Sequence, residues 1–363
     1  MTITESAAPA RTASGAQLRA GRLAGWFPWV LLGASLGAMF AVFAILGTAT
    51  GEGVNVAGWL VSSALIYLAL ITVISTIVEG SRKAVDRLVT GVVTSAFLIA
   101  MVPLVSVAFT VIANGVARFD ATFFSSSMRN VVGEGGGVVH AVWGTVLITL
   151  AAAIISIPIG LLTSIYLVEY GRGRLAQAIT FLVDVMTGIP SIVAGLFAYA
   201  LFALFFGPGI RMGIMGAVAL AVLMIPVVVR SSEEMLRLVP NELREASYAL
   251  GVPKWLTIVK VVLPTAIAGI TTGVMLSISR VIGETAPLLI TAGFTDSLNY
   301  NLFDGRMQTL PVFVYTQYAN QGIPPEAYWD RAWAAALTLI LIVMLLNLVA
   351  RIVAKVFAPK TGR

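Results

Sequence analysis

The chain of 363 residues has no cysteine, one histidine and only 11% charged residues. Without cysteine there are neither disulfides nor thiolate metal sites, and the redox compartment cannot be read. A single histidine, His140, rules out a histidine-based metal cluster within the chain and reads as an ordinary loop or helix-end residue. No Gly-x-x-x-x-Gly-Lys-Ser/Thr segment occurs, and no glycine-rich turn opens a cytoplasmic helix after a strand, so nothing here can cradle a nucleotide. Work driven by ATP would need a second chain. The repeated intramembrane acids and bases of a proton relay are also missing, since Asp184 and Glu284 are the only acids read as lying within the membrane. No acid cluster, His or Cys set, or nucleophile and base pair supports a membrane enzyme. No internal repeat stands out.

What is present is apolar sequence, 58% of the chain, in runs of twenty residues or more. Crossing a hydrocarbon core of about 30 Å takes about 20 such residues. The chain therefore reads as all-α, a polytopic bundle of transmembrane helices. Eight segments are long enough to span: 26–48, 56–78, 88–113, 138–168, 175–206, 212–229, 264–293 and 332–353. The first is too long for a signal-peptide core. Residues 1–25, rich in Ala, Ser, Thr, Gly and Arg, read as a disordered cytoplasmic tail. Segment 114–137, with a flexible glycine run at its end, reads as interfacial, and 294–331 as a long polar connection. Pro158 is expected to kink the fourth span, and Pro190 to open a local break in the fifth.

Eight spans put both termini on one side. With the termini inside, 17 of the 23 lysines and arginines fall in cytoplasmic segments. Five (Arg118, Arg129, Arg211, Arg306 and Arg331) fall outside, and only Arg280 lies within a span. That imbalance fits the positive-inside rule and places 230–263 in the cytoplasm. The net charge of +6 reads as anchoring to anionic lipid head groups and not as a nucleic-acid footprint.

Two constellations carry chemistry. If 264–293 is one helix, Arg280 stands near the bilayer middle, where an arginine costs about 2.5–3.5 kcal/mol. Glu284, four residues on, would share its helical face and neutralise it. Such a pair can simply fix packing, or it can present a guanidinium to the translocation path, where its planar fork would contact a tetrahedral oxyanion with Glu284 orienting it. Asp184 can pair with a cation, bond a backbone group or line the same path, and Ser191, after Pro190, sits at a gate or an ordinary kink. The second constellation is cytoplasmic. Residues 232–250 read as two short helices separated by a Pro240-Asn241 turn, with Asn241 capping the second and Glu242 near its positive end. Small Ala246 and Ser247 admit another surface, Gly251 ends the helix in a left-handed conformation, and Trp255 suits the membrane interface. A helix packed on the chain's own spans would read similarly.

The spacing Glu245-Ala246-Ser247, three residues, Gly251, nine residues, Val261, one residue, Leu263-Pro264 resembles the EAA loop of bacterial ABC importer permeases, with Ser247 and Val261 as mild departures. Further segments resemble one branch, the A-type phosphate importer permeases (PstA family). They are Gly136-Gly137-Val138-Val139-His140-Ala141-Val142-Trp143-Gly144-Thr145, Ile165-Tyr166-Leu167-Val168-Glu169-Tyr170, Gly188-Ile189-Pro190-Ser191-Ile192-Val193, Ile270-Thr271-Thr272-Gly273 and Gly283-Glu284-Thr285-Ala286-Pro287-Leu288-Leu289. The resemblance covers about 88–358 and implies a type I ABC importer permease domain there. It leaves 26–87 as two additional transmembrane helices and 359–363 as a basic cytoplasmic tail.

It further implies a non-catalytic permease of the bacterial inner membrane, paired with a homologous second permease, an ATPase subunit dimer that carries the ATP and Mg, and an extracytoplasmic phosphate-binding protein. No cofactor would belong to this chain. A coupling helix within 240–255 would offer Arg244, Glu245, Ala246, Ser247, Leu250, Gly251 and Lys254 to the ATPase. Arg280, Glu284, Thr285, Asp184 and Ser191 would line the path, and 114–137 and 294–331 would meet the binding protein. A permease for sulfate or molybdate, or a scaffold that reports phosphate status, stays open beside the phosphate reading.

Overall fold

A computed structural model describes residues 23–51 and 53–357. Most of the tail expected over 1–25, and all of that at 359–363, lies outside them. Among the described residues every regular element is helical. The chain divides into two compact units between Val107 and Ala108, inside the third helix.

The first unit holds α1 (Phe27–Thr50), α2 (Val56–Val78) and most of α3 (Ser81–Gly115). Its burial pattern is that of a protein in lipid. Leu65 and Ile77 are 63% and 78% exposed, whereas Ser35, Ser63 and Ser75 are buried. Lipid solvates apolar side chains as well as protein does, so helix contacts go to small and hydroxyl residues. The hydroxyls close on their own helix, Ser35 Oγ donating to the Leu31 carbonyl at 2.9 Å and Ser63 Oγ to that of Trp59 at 2.7 Å. Trp59 ties α2 to α1 through its Nε1 on the Leu36 carbonyl at 2.9 Å and its edge contact with Phe40. At the end of α2 the buried Glu79 carboxylate accepts from Ser75 Oγ, Arg87 and the Leu23 amide, which fixes the turn into α3.

In the second unit, a 3-10 turn (Val116–Arg118) leads to α4 (Ala121–Ser125), capped by Asp120 through the Phe123 amide at 2.7 Å. Then come α5 (Val139–Ile165), prolonged by a π-helical turn over Tyr166–Tyr170, α6 (Arg174–Thr187), α7 (Ser191–Phe206) and α8 (Gly213–Arg237). Next are the short α9 (Asn241–Ala249) and α10 (Lys254–Thr257), a second π-helical turn (Ile258–Val262), and α11 (Leu263–Val281). The unit closes with α12 (Ala286–Thr291), α13 (Leu310–Ala319) and α14 (Pro325–Phe357). The most buried spanning helix is α8, which packs on α5, α7 and α11. Ile148 and Ala152 of α5, Leu220, Met224 and Val228 of α8, Val281 and Leu288 form its core.

Among the described residues seven helices are long and apolar enough to cross a membrane, or eight if the bent pair α6 and α7 counts as one span. Several expected boundaries move. The fifth span is two helices set at 111°, because Pro190 cannot donate to the helix ladder and disfavours the helical conformation of Ile189. The seventh runs as a continuous helix from Lys254 to Val281, not over 264–293, and stops before Gly283. Residues 232–237 are no separate helix but the last turns of α8, where Arg230 and Arg237 both clasp the buried Glu233 from one helical turn away. Pro240 takes the cap position of α9 and Asn241 is already helical, so Asn241 does not cap. The polar connection 294–331 contains α13 and the start of α14. Phe123, read as interfacial, is fully buried, and so is Arg331. Pro158 lies inside α5 without ending it.

Candidate functional site

The second constellation is built around α9. After α8 ends, Pro240 restarts the chain as a nine-residue helix. It closes in a Schellman motif, with the Gly251 amide donating to the Tyr248 carbonyl at 2.9 Å and the Val252 amide to that of Ser247 at 3.2 Å. Gly251 makes this possible with φ of 76°, a left-handed conformation that a Cβ disfavours.

The two faces of α9 differ. On the inner face Arg244 donates through Nε and Nη2 to one Glu169 oxygen, at 3.0 and 2.8 Å. It also donates to the carbonyls of Val239 at 2.6 Å and Leu236 at 3.0 Å. The pair is nearly dry, with side chains 12% and 5% exposed. Lys254 donates to the Glu169 carbonyl and stands 4.8 Å from the centre of the Tyr170 ring. Ser247 is buried, its Oγ 2.8 Å from Thr257 Oγ1, so the small residue expected to admit a foreign surface is met by the chain's own α10. The outer face carries Glu245, Ala246 and Leu250, all exposed, Leu250 by 84%. Glu169, on the π-helical end of α5, is thus the hub that holds α9. It was legible only as a lone acid closing a long apolar run.

The expected path residues fall into two groups. Arg280 occupies the last turn of α11 and is exposed. Glu284 lies beyond that helix, in the turn leading to α12, and Thr285 is the residue before α12. The helical spacing that would have paired Arg280 with Glu284 is lost at the break after Val281, and no ion pair joins them. Ser191 begins α7, which packs on α12. Asp184 stands apart. It meets Arg230 of α8, which also bonds Glu233 at 2.9 Å, and Glu233 in turn bonds Arg237 at 2.6 Å. Asp184, Glu233 and Arg237 of this network line a cavity of about 410 Å³ together with Gln177 and Thr180 of α6. Sequence reasoning missed the network, although the spacings Arg230 to Glu233 and Glu233 to Arg237 were visible.

His140 lies near the start of α5, buried, with Nε2 3.2 Å from Gln308 Oε1 and its ring edge on Phe313. Among the described residues no three His, Cys, Asp or Glu side chains gather as a metal site.

A bundle with a broken span, a short exposed helix strapped to the end of another span, and an arginine at the end of the next defines a transport permease more readily than an enzyme. The sequence pattern of the family described as "Binding-protein-dependent transport system inner membrane component" matches residues 156–363, and the chain belongs to that family. Within it the chain belongs to the PstA permeases. It is 47% identical over 275 residues to phosphate transport system permease protein PstA 1 of Mycobacterium tuberculosis H37Rv, covering 75% of this chain and 88% of the relative. The PstA proteins of Mycobacterium leprae and Yersinia pestis are 48% and 36% identical, over 74% and 78% of this chain and 88% and 93% of their own.

Solved structures agree in fold. An inward-facing MetNI methionine ABC transporter chain superposes with a TM-score of 0.51 at 21% identity, over 61% of this chain and 96% of its own. A bacterial alginate ABC transporter chain, solved with a periplasmic protein bound to an alginate pentasaccharide, superposes with a TM-score of 0.55 at 12% identity, over 77% and 97%. The fold is that of a type I ABC importer permease.

Proposed function

We propose that this chain is the membrane-spanning permease subunit of an ATP-driven importer of inorganic phosphate. The observation that carries the reading is the two-faced α9, strapped to α5 through Arg244 and Glu169 on one side and exposed at Glu245, Ala246 and Leu250 on the other. A helix with one face left open by the described residues, in a chain with no nucleotide loop, suits a contact for a separate ATPase. The substrate follows from the PstA relatives.

In this reading a homologous permease completes the path, two ATPase subunits hold ATP and Mg inside, and an extracytoplasmic phosphate-binding protein delivers substrate outside. Both termini face the cytoplasm. ATP-driven closure of the ATPase pair pushes α9. The Arg244 and Glu169 link passes that displacement to α5, and the continuous helix from Lys254 passes it to Arg280. Arg280, exposed and without a carboxylate partner among the described residues, supplies the cation that phosphate meets in transit, with Glu284, Thr285 and Ser191 around the turn beside it. Asp184 belongs to the charge network at the cytoplasmic end of α8.

The experiment is reconstitution of the chain with its partner permease, ATPase and binding protein in liposomes. ATP-dependent accumulation of labelled phosphate, insensitive to excess sulfate and absent when this chain is omitted, is the expected result. Uptake of sulfate or molybdate instead would overturn the substrate.

A further inference from the structure

Several described arginines are satisfied by the chain itself. Arg87, Arg118, Arg230, Arg237 and Arg244 each meet a carboxylate, and Arg331 donates to Gln317 and to the carbonyls of Gly133 and Gly135. Among the described residues Arg129, Arg211 and Arg306, like Arg280, have no carboxylate within 4.0 Å, and these three belong to one place. It lies at the end of α8 remote from α9, about 37 Å away by helix length.

There the loop after α12 folds over the start of α8, the Ile214 amide donating to the Leu302 carbonyl at 2.8 Å and the Met307 amide to that of Ala292 at 3.1 Å. The loop turns at Gly293, whose φ is 75°. A Cβ on Gly293 would lie 2.9 Å from Arg211 Cδ and 3.5 Å from Arg306 Cδ, so the stems of two arginines pass the same bare glycine. Arg211 is half-buried there, and Arg306 stands 5.9 Å from the centre of the Phe294 ring. Beside this pair opens a cavity of about 440 Å³, lined by Arg306, Arg129, Asn130, Thr295, Ser297 and the carboxylate of Asp296.

Like charges that outnumber the carboxylates beside them repel, and a bound anion lowers that cost. Guanidinium forks, hydroxyls and an amide are the donors that suit a tetrahedral oxyanion. The carboxylate adds a second demand. It can accept a hydrogen bond from an oxyanion that still carries a proton near neutral pH, and it repels one that carries none.

We propose that Arg129, Arg211, Arg306, Thr295, Ser297 and Asp296 form a receiving site for a protonated tetrahedral oxyanion, at the mouth of the path opposite the coupling helix. The site deepens the phosphate reading above and rests on it. Its openness suits brief capture of an anion released by the binding protein, before passage towards Arg280.

The test uses the full complex in liposomes, with the binding protein titrated to saturation and inorganic phosphate as the probe. The double variant R129Q/R306Q is expected to lower maximal phosphate uptake about tenfold, while the binding-protein concentration giving half-maximal ATPase stays within about twofold. D296N is expected to let sulfate, added outside, compete with phosphate where the unaltered complex ignores it. Unchanged maximal uptake overturns the site. If only the half-saturating binding-protein concentration rises, the arginines are a docking patch for an acidic protein surface, and the site is likewise overturned. If the double variant fails to assemble, D296N decides alone, and continued indifference to sulfate counts against the proposal. Should the unaltered complex move another oxyanion and no phosphate, the phosphate reading falls by itself. The site is then judged by whether R129Q/R306Q lowers maximal uptake of that anion.

Discussion

Arg244, on α9, and Arg280, at the far end of the spanning helix that follows it, are treated in opposite ways by the fold. Arg244 is all but dry and spends its donors on Glu169 and on the carbonyls of Leu236 and Val239. Arg280 is exposed at the end of α11 and, among the described residues, has neither an ion pair nor a side-chain hydrogen bond. A saturated guanidinium is a strut, because nothing is left over for a ligand. An unsaturated one at the end of a spanning helix keeps all five of its donors for something outside the chain. The contrast separates residues that hold the machine from those that meet its cargo, and substitutions can break it.

The largest effect is expected at Arg280. Arg280→Gln should reduce phosphate uptake in reconstituted liposomes to background, while complex yield and the thermal midpoint in detergent stay unchanged. Uptake at the normal rate would make Arg280 a bystander. Arg244→Ala should behave differently, since removing one partner of a buried pair leaves the other uncompensated and costs about 3–5 kcal/mol. Thermal unfolding of the purified chain should show that loss, and ATPase stimulation by the binding protein should fall with it. Glu169→Gln keeps two acceptor sites for Arg244 and should cost less. An Arg244→Ala chain of unaltered stability would remove the strut from the comparison.

Gly251 tests the geometry of the same helix end. A leucine there must hold a left-handed conformation at a cost of about 1–2 kcal/mol, and it opens the Schellman motif that sets where Leu250 points. Gly251→Leu should weaken co-purification of the ATPase, and Gly251→Asn, which tolerates that conformation, should restore much of it. Full retention by the leucine variant would count against docking at this end of α9.

Much of this was legible in the sequence. The edges of α1 and α2 fall within two residues of those expected, because an apolar run meeting Gly51 and Glu79 has an unambiguous end. The break at Pro190 was visible in the missing donor, but its 111° angle is set by how α7 packs on α12 and α8. The seventh span was misplaced because Pro264 reads as a start. Proline is tolerated early in a helix, and here a π-helical turn over Ile258–Val262 reshapes the hydrogen-bond ladder just where Pro264 removes a donor, so the helix continues back to Lys254. That shift and the break after Val281 moved Arg280 from the expected middle of a helix to its end and separated it from Glu284. Glu169 and Arg331 were missed for one reason. Their partners Arg244, Gly133 and Gly135 lie far away in sequence, and no local spacing announces such contacts.

The smallest effect is expected at Asp184, which sharpens the comparison because it resembles both arginines in part. Like Arg244 it is paired, through Arg230, but like Arg280 it is largely open, its side chain 58% exposed. Exposure sets the scale. A solvent-facing ion pair contributes about 0–1 kcal/mol, and Arg230 keeps Glu233 when Asp184 loses its charge. Asp184→Asn should therefore change stability by less than about 1 kcal/mol and uptake by less than about twofold. If Asp184 instead lined the path beside Arg280, the neutral variant would shift the anion's affinity and change uptake far beyond that range, with no change in the thermal midpoint. Measuring both on one preparation settles the assignment, because a network residue moves the two slightly and together, and a path residue moves only the uptake.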